Sequence, residues 1–116
     1  MIHPVTYQLL IEIARPVRAT IGRLGSFVFP AGHYVYTGSA RRNIEARIAR
    51  HLRGEKMLRW HIDYLLAASG VHISGVRRYD ENECAINGAT SGRVLVPGFG
   101  ASDCRAGCGS HLKFLG

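Results

Sequence analysis

The sequence predicts an α/β domain, a small and largely antiparallel central sheet with helices packed on it and an inserted β-hairpin. Three observations carry that reading. Apolar residues alternate from Val5 to Ile13 with the period of a strand, and Ile44, Ile48 and Leu52 recur with the period of a helix face. A chain of 116 residues, 47% of them hydrophobic, is sized to fill one core, so a single domain over residues 1–116 is expected.

Taken in order, Val5 to Ile13 places Tyr7, Leu9, Ile11 and Ile13 on one buried face and Thr6, Gln8, Leu10 and Glu12 on the other. Pro16 stops this strand. RATIGRL and SFVF flank Gly25 as a hairpin, closed by the turn at Pro30, Ala31 and Gly32. The next strand, HYVYTG, sets Tyr34 and Tyr36 on a shared face and ends at Gly38. The stripe Ile44, Ile48, Leu52 predicts a helix of about three turns, closed by Gly54. Leu58, Ile62, Leu65 and Leu66 signal a second helix ending near Gly70, followed by the strand VHISGVRRY. DENECAING predicts a helix of about two turns, limited by Asn87 and Gly88. The glycine-rich tail closes with a strand near Leu112 to Leu115.

No run of apolar residues is long enough for a membrane span, and the first residues read as a strand rather than a leader. Three cysteines, Cys84, Cys104 and Cys108, make a poor disulfide framework, so a reducing cytoplasm is the expected setting. The formal charge of +7 points to an anionic partner. Its excess is concentrated: residues 41–59 hold seven basic and two acidic side chains, whereas residues 60–116 hold five of each.

On the first helix Arg47 and His51 are four apart and share one edge of the apolar stripe. A guanidinium fixed there is suited to gripping a phosphate through two parallel N–H bonds. Arg50 and Arg53 point more outward and read as charges that steer a nucleic-acid backbone. The plainer alternative, a solvated basic helix face, stands beside this one.

The run Tyr36-Thr37-Gly38-Ser39-Ala40, followed by Arg47-Ile48-Ala49-Arg50-His51, resembles the second half of the GIY-YIG nuclease signature, and Val5-Thr6-Tyr7 resembles the first. With WHIDYLL, VPGFGASDC and the closing SHL, nearly the whole chain is similar to a small GIY-YIG-like family of uncharacterised function, found alone or attached to endonuclease III. The resemblance implies a magnesium- or manganese-dependent endonuclease that hydrolyses phosphodiesters in DNA, with a DNA-repair glycosylase as a partner. It implies Tyr7, Tyr36, Arg47, His51 and Glu83 as catalytic residues, Glu83 as metal ligand and Gly38 as the motif glycine; Gly38 and Ser39, with the outward Arg50 and Arg53, are the expected substrate contacts. In this sequence Val-Thr-Tyr stands where the class has Gly-Ile-Tyr, and about thirty residues separate the two motifs, as an inserted hairpin would. The asparagine that closes the class pattern has no clear counterpart, Asn87 being poorly spaced for it. An alternative of another kind is a nucleic-acid- or repair-partner-binding module that has lost activity on the same scaffold.

Cys104, Cys108 and His111 form a separate constellation, which Cys84 or His61 would complete as a tetrahedral zinc site; buried thiols are the simpler alternative. His61 and Asp63 do not share a helix face, so Asp63 is expected to meet Arg59 and His61 to hydrogen-bond within the fold.

Overall fold

The computed structural model describes residues 4–40, 42–54, 56–100 and 108–116. In chain order its elements are β1 (Thr6–Ile13), β2 (Val17–Thr20), a 3-10 turn at Gly22–Leu24, β3 (Ser26–Phe29), β4 (Gly32–Ser39), α1 (Ile44–Leu52), α2 (His61–Leu66), β5 (Val71–Tyr79), α3 (Glu83–Ala89) and β6 (Leu112–Phe114). The main sheet has the order β5-β1-β4-β6 with every pairing antiparallel, and β2 and β3 form a separate two-stranded sheet between β1 and β4. The predicted fold class and the inserted hairpin are therefore both present. Among the described residues no helix is long and apolar enough to cross a membrane.

β1 is central because both its faces are covered. Tyr7, Leu9, Ile11 and Ile13 join Ile44 and Ile48 of α1, Ile62 and Leu65 of α2, and Phe29 of the hairpin in one core. The other face departs from the expectation of a single buried side. Thr6 and Gln8 are also buried, since α3 and its flanks lie over them: Thr6 Oγ1 donates to the Glu81 carbonyl at 2.6 Å and Gln8 Nε2 to Thr90 Oγ1 at 2.7 Å. Buried polar groups need such partners, and this face supplies them.

α1 begins where Asn43 turns the chain. Asn43 takes the left-handed conformation, φ 47°, and its Oδ1 accepts from the Ala46 N–H at 3.1 Å, which satisfies a donor the helix leaves open. The helix ends at Leu52, with Arg53 as its cap residue and Gly54 just beyond, where the closing glycine was expected. Leu52 is 56% exposed, and the Lys56 ammonium instead donates to the carbonyls of His51 and Arg53. Buried His51 is the last inward residue, so the stripe is Ile44, Ile48, His51 rather than Ile44, Ile48, Leu52. Leu58 likewise lies outside α2 and is exposed; Asp63 starts that helix by accepting the Arg59 and Trp60 N–H groups at 2.9 Å each.

Candidate active site

Tyr7, Tyr36, Gly38, Ser39, Arg47, Trp60, Glu83, Gly100 and His111 line one polar cleft of about 230 Å³. The sheet register makes this meeting possible. Tyr7 pairs with Gly38 and Leu9 with Tyr36, so both phenols rise from one face of adjacent strands. Arg47 reaches in from α1, and Glu83 from the first turn of α3. A larger groove of about 580 Å³ also borders His51; among the described residues its lining, which includes Leu52, Arg53, Leu58 and Leu66, contains no carboxylate.

Gly38 has a mechanical reason. A Cβ there would stand 2.6 Å from both Cζ and Oη of Tyr7, so only glycine leaves room for the ring. We expect Gly38→Ala to displace Tyr7 and to lower stability by about 1–3 kcal/mol, the cost of overpacking a closed site, as read by urea unfolding. An unchanged unfolding midpoint would mean the ring moves aside freely.

The Tyr7 hydroxyl is 2.6 Å from His51 Nε2, with both side chains buried. Burial raises the Tyr7 pKa well above the ordinary tyrosine range, and the neighbouring Arg47 guanidinium opposes the shift without cancelling it. Tyr36 is raised in the same direction, first by burial. His51 is lowered to about 4, chiefly by burial, with the nearby cations Arg50, Lys56 and Arg47 adding to it and the Asp63 carboxylate opposing. At neutral pH the pair is thus a phenol and a neutral imidazole. His51 Nδ1 has no hydrogen-bond partner among the described residues.

Arg47 is held rather than free. Its Nη1 donates to the Ser39 carbonyl at 3.1 Å, and its guanidinium lies 4.6 Å from the Trp60 ring centroid. Arg50 stacks on the same indole at 4.2 Å and grips Asp63 through two N–H bonds of 2.9 and 3.0 Å. Arg50 is therefore not the outward, backbone-steering charge expected from the helix period. Asp63 is completely buried; burial alone would raise its pKa, but the Arg50 guanidinium and the N–H groups of Trp60 and Arg59 outweigh that and hold it low. The expected Arg59 contact is made by backbone, while the ion pair goes to Arg50. Arg53 is exposed, away from the cleft.

Glu83 spans two contacts, its Oε1 accepting from Ser39 Oγ at 3.3 Å and its Oε2 lying 3.1 Å from His111 Nδ1. The donor set at the cleft mouth, one carboxylate among hydroxyls with room for water, suits a small hard cation that keeps most of its hydration. Asn87 does not line the cleft; it is buried and donates to the Ser110 carbonyl at 2.9 Å. His61 bonds within the fold as expected, its Nδ1 accepting from the Gly100 N–H at 2.9 Å. Cys104 lies outside the described residues. Sequence reasoning missed Trp60, although a lone tryptophan next to a basic helix was a readable signal for cation stacking. Ser39, expected as a substrate contact, does line the cleft, whereas His111 was placed only in the cysteine constellation, since a contact spanning 28 residues leaves no local pattern.

Residues 6–116 match a family model described as Domain of unknown function DUF123. No curated protein and no solved structure matches the chain.

Proposed function

The chain belongs to the DUF123 family, and from that starting point we propose that it is a metal-dependent endonuclease that hydrolyses phosphodiester bonds in DNA, a GIY-YIG-type nuclease serving repair. The observation that carries the reading is the meeting of the Tyr7–His51 pair, the Arg47 guanidinium and the Glu83 carboxylate in a cleft sized for a phosphate and its attacking water.

Hydrolysis adds negative charge to a phosphodiester that is already charged, so fixed donors aimed at its non-bridging oxygens lower the barrier. Arg47 is that donor, and its plane is set beforehand by Trp60 and the Ser39 carbonyl. Water attack releases a proton that needs an acceptor. Tyr7 as a standing phenolate is ruled against by burial. In the tautomer that carries its hydrogen on Nδ1, however, His51 Nε2 accepts the phenol proton as the phenol oxygen takes one from water. The charge ends on His51, where burial and the cations Arg50, Lys56 and Arg47 disfavour it and the Asp63 carboxylate partly compensates. Tyr36 packs edge-on against His51, ring centroids 6.2 Å apart, and walls the pocket. Glu83 would hold magnesium or manganese, which when bound supplies further charge stabilisation at the phosphate.

The basic stretch completes the reading. Arg42, Arg53 and Arg59 are exposed cations that fit electrostatic docking of a duplex without base specificity. The test is incubation with labelled duplex, flap and single-stranded oligonucleotides in magnesium or manganese. Metal-dependent cleavage supports the enzyme; steeply salt-dependent binding with no product at any metal concentration selects the inactive binding module instead.

A pH profile adds an independent check. Protonated His51 cannot accept from Tyr7, so kcat/KM should stay level from neutral pH to about 5 and fall only near the lowered His51 pKa of about 4. An acid limb near 6.5, the ordinary histidine value, would contradict a buried relay. Stability follows with the same sign. Between 6.5 and about 4 the unfolded chain binds a proton that the folded one does not, so stability falls as pH falls through that window.

A further inference from the structure

We infer that Cys84, Cys108 and His111 form a binding site for zinc, separate in chemistry from the cation position at Glu83 and independent of whether the chain cleaves DNA. One donor atom from each of the three residues lies within 4.8 Å of the other two. In a tetrahedral zinc site, with Zn–S near 2.3 Å and Zn–N near 2.0–2.1 Å, donors stand roughly 3.5 Å apart. The donor atoms need to approach one another by about an ångström to reach that spacing. Two thiolates and an imidazole are donors that magnesium and calcium shun and zinc accepts, and two thiolates neutralise the ion in a protein whose net charge is already +7.

The placement gives the site a role. Cys84 stands in the first turn of α3, next to Glu83, whereas Cys108 and His111 lie just before β6, so an ion held by all three ties the helix to the segment entering the sheet edge. His111 is 1% exposed, and its Nδ1 faces Glu83 Oε2 at 3.1 Å. A carboxylate behind a ring nitrogen is the arrangement that fixes the orientation of metal-bound histidines. The ion would thereby stiffen the cleft wall that carries Glu83. Of the two completing donors the sequence offered beside Cys104, Cys108 and His111, Cys84 is the one that joins the cluster, while His61 Nδ1 is engaged by the Gly100 N–H and Cys104 lies outside the described residues.

The experiment uses the full chain, reduced and with no nucleic acid present, so its outcome is separate from that of any cleavage assay. Elemental analysis of protein purified without chelator should give one equivalent of zinc. Cobalt(II) added to chelator-stripped protein should produce a thiolate-to-cobalt charge-transfer band and intense tetrahedral d–d bands, both removed by one equivalent of zinc. Cys84→Ser and Cys108→Ser should each weaken zinc binding by about a hundredfold or more. The cobalt spectrum of the parent protein decides the matter even if a variant misfolds. The inference is overturned if reduced parent protein takes up neither ion. It is equally overturned if Cys84 and Cys108 react with a thiol reagent as fast with zinc present as without, or if they join in a disulfide in air while never retaining zinc.

Discussion

Arg47→Ala is expected to lower the single-turnover rate of DNA cleavage by about a hundredfold or more, with Glu83→Ala giving a similar loss, while Arg47→Ala does not shift the unfolding midpoint appreciably. The size follows from what each residue does in the cleft. The Arg47 guanidinium is preorganised by the Trp60 ring at 4.6 Å and the Ser39 carbonyl at 3.1 Å, so its removal deletes a donor already aimed at the developing charge. The folding cost is small because Arg47 is only partly buried and makes no ion pair among the described residues. Arg47→Lys should recover little, since an ammonium provides neither the fork nor the planar stack. Cleavage by Arg47→Ala at the parent rate in magnesium would remove the arginine from the chemistry.

The second large effect concerns the scaffold behind the cleft. Asp63→Ala should destabilise the fold by about 3–5 kcal/mol, measured by urea unfolding, because it breaks a buried ion pair and leaves its partner uncompensated. Asp63 is fully buried and serves three donors at once, the Arg50 guanidinium and the N–H groups that open α2. Arg50 is then released from Trp60, and the indole that orients Arg47 loses its second guanidinium. A drop in cleavage should accompany the drop in stability, smaller than that of Arg47→Ala. Loss of less than about 1 kcal/mol would mean the pair is solvent-screened like a surface one.

These two residues also mark what a reader of the sequence could and could not see. The strands were legible because period two is set by the backbone: β5 runs over the residues of VHISGVRRY, and Tyr7 and Tyr36 share a face as their alternation required. Arg47 was legible from helix spacing beside His51, whereas Glu83 came only from the family resemblance, and both line the cleft. Arg50 was misread because the helix period alone turns it outward, whereas its fate is decided by an aspartate 13 residues later. Leu52 and Leu58 were misread because apolar character was taken as burial, while Lys56 bonds the end of α1 and Asp63, past Leu58, starts α2. The burial of Thr6 and Gln8 depended on α3 crossing the second face of β1, a tertiary fact with no local signature.

The same logic governs the proposed zinc donors. Cys108 and His111 are three apart and suggest each other, but the choice between Cys84 and His61 as a completing donor was open in the sequence, because Cys84 is more than twenty residues upstream and its place beside them is set by the packing of α3.

The central claim is that the Tyr7 phenol, backed by neutral His51, is the group through which the cleft activates water. It is tested most directly by nicking of supercoiled plasmid in magnesium, comparing the parent chain with Tyr7→Phe, which keeps the ring and removes only the hydroxyl. The account predicts that the parent relaxes the plasmid, that the variant is slower by about a hundredfold, and that both bind DNA with the same salt dependence. Equal nicking rates, or a plasmid left intact by the parent protein, would contradict it.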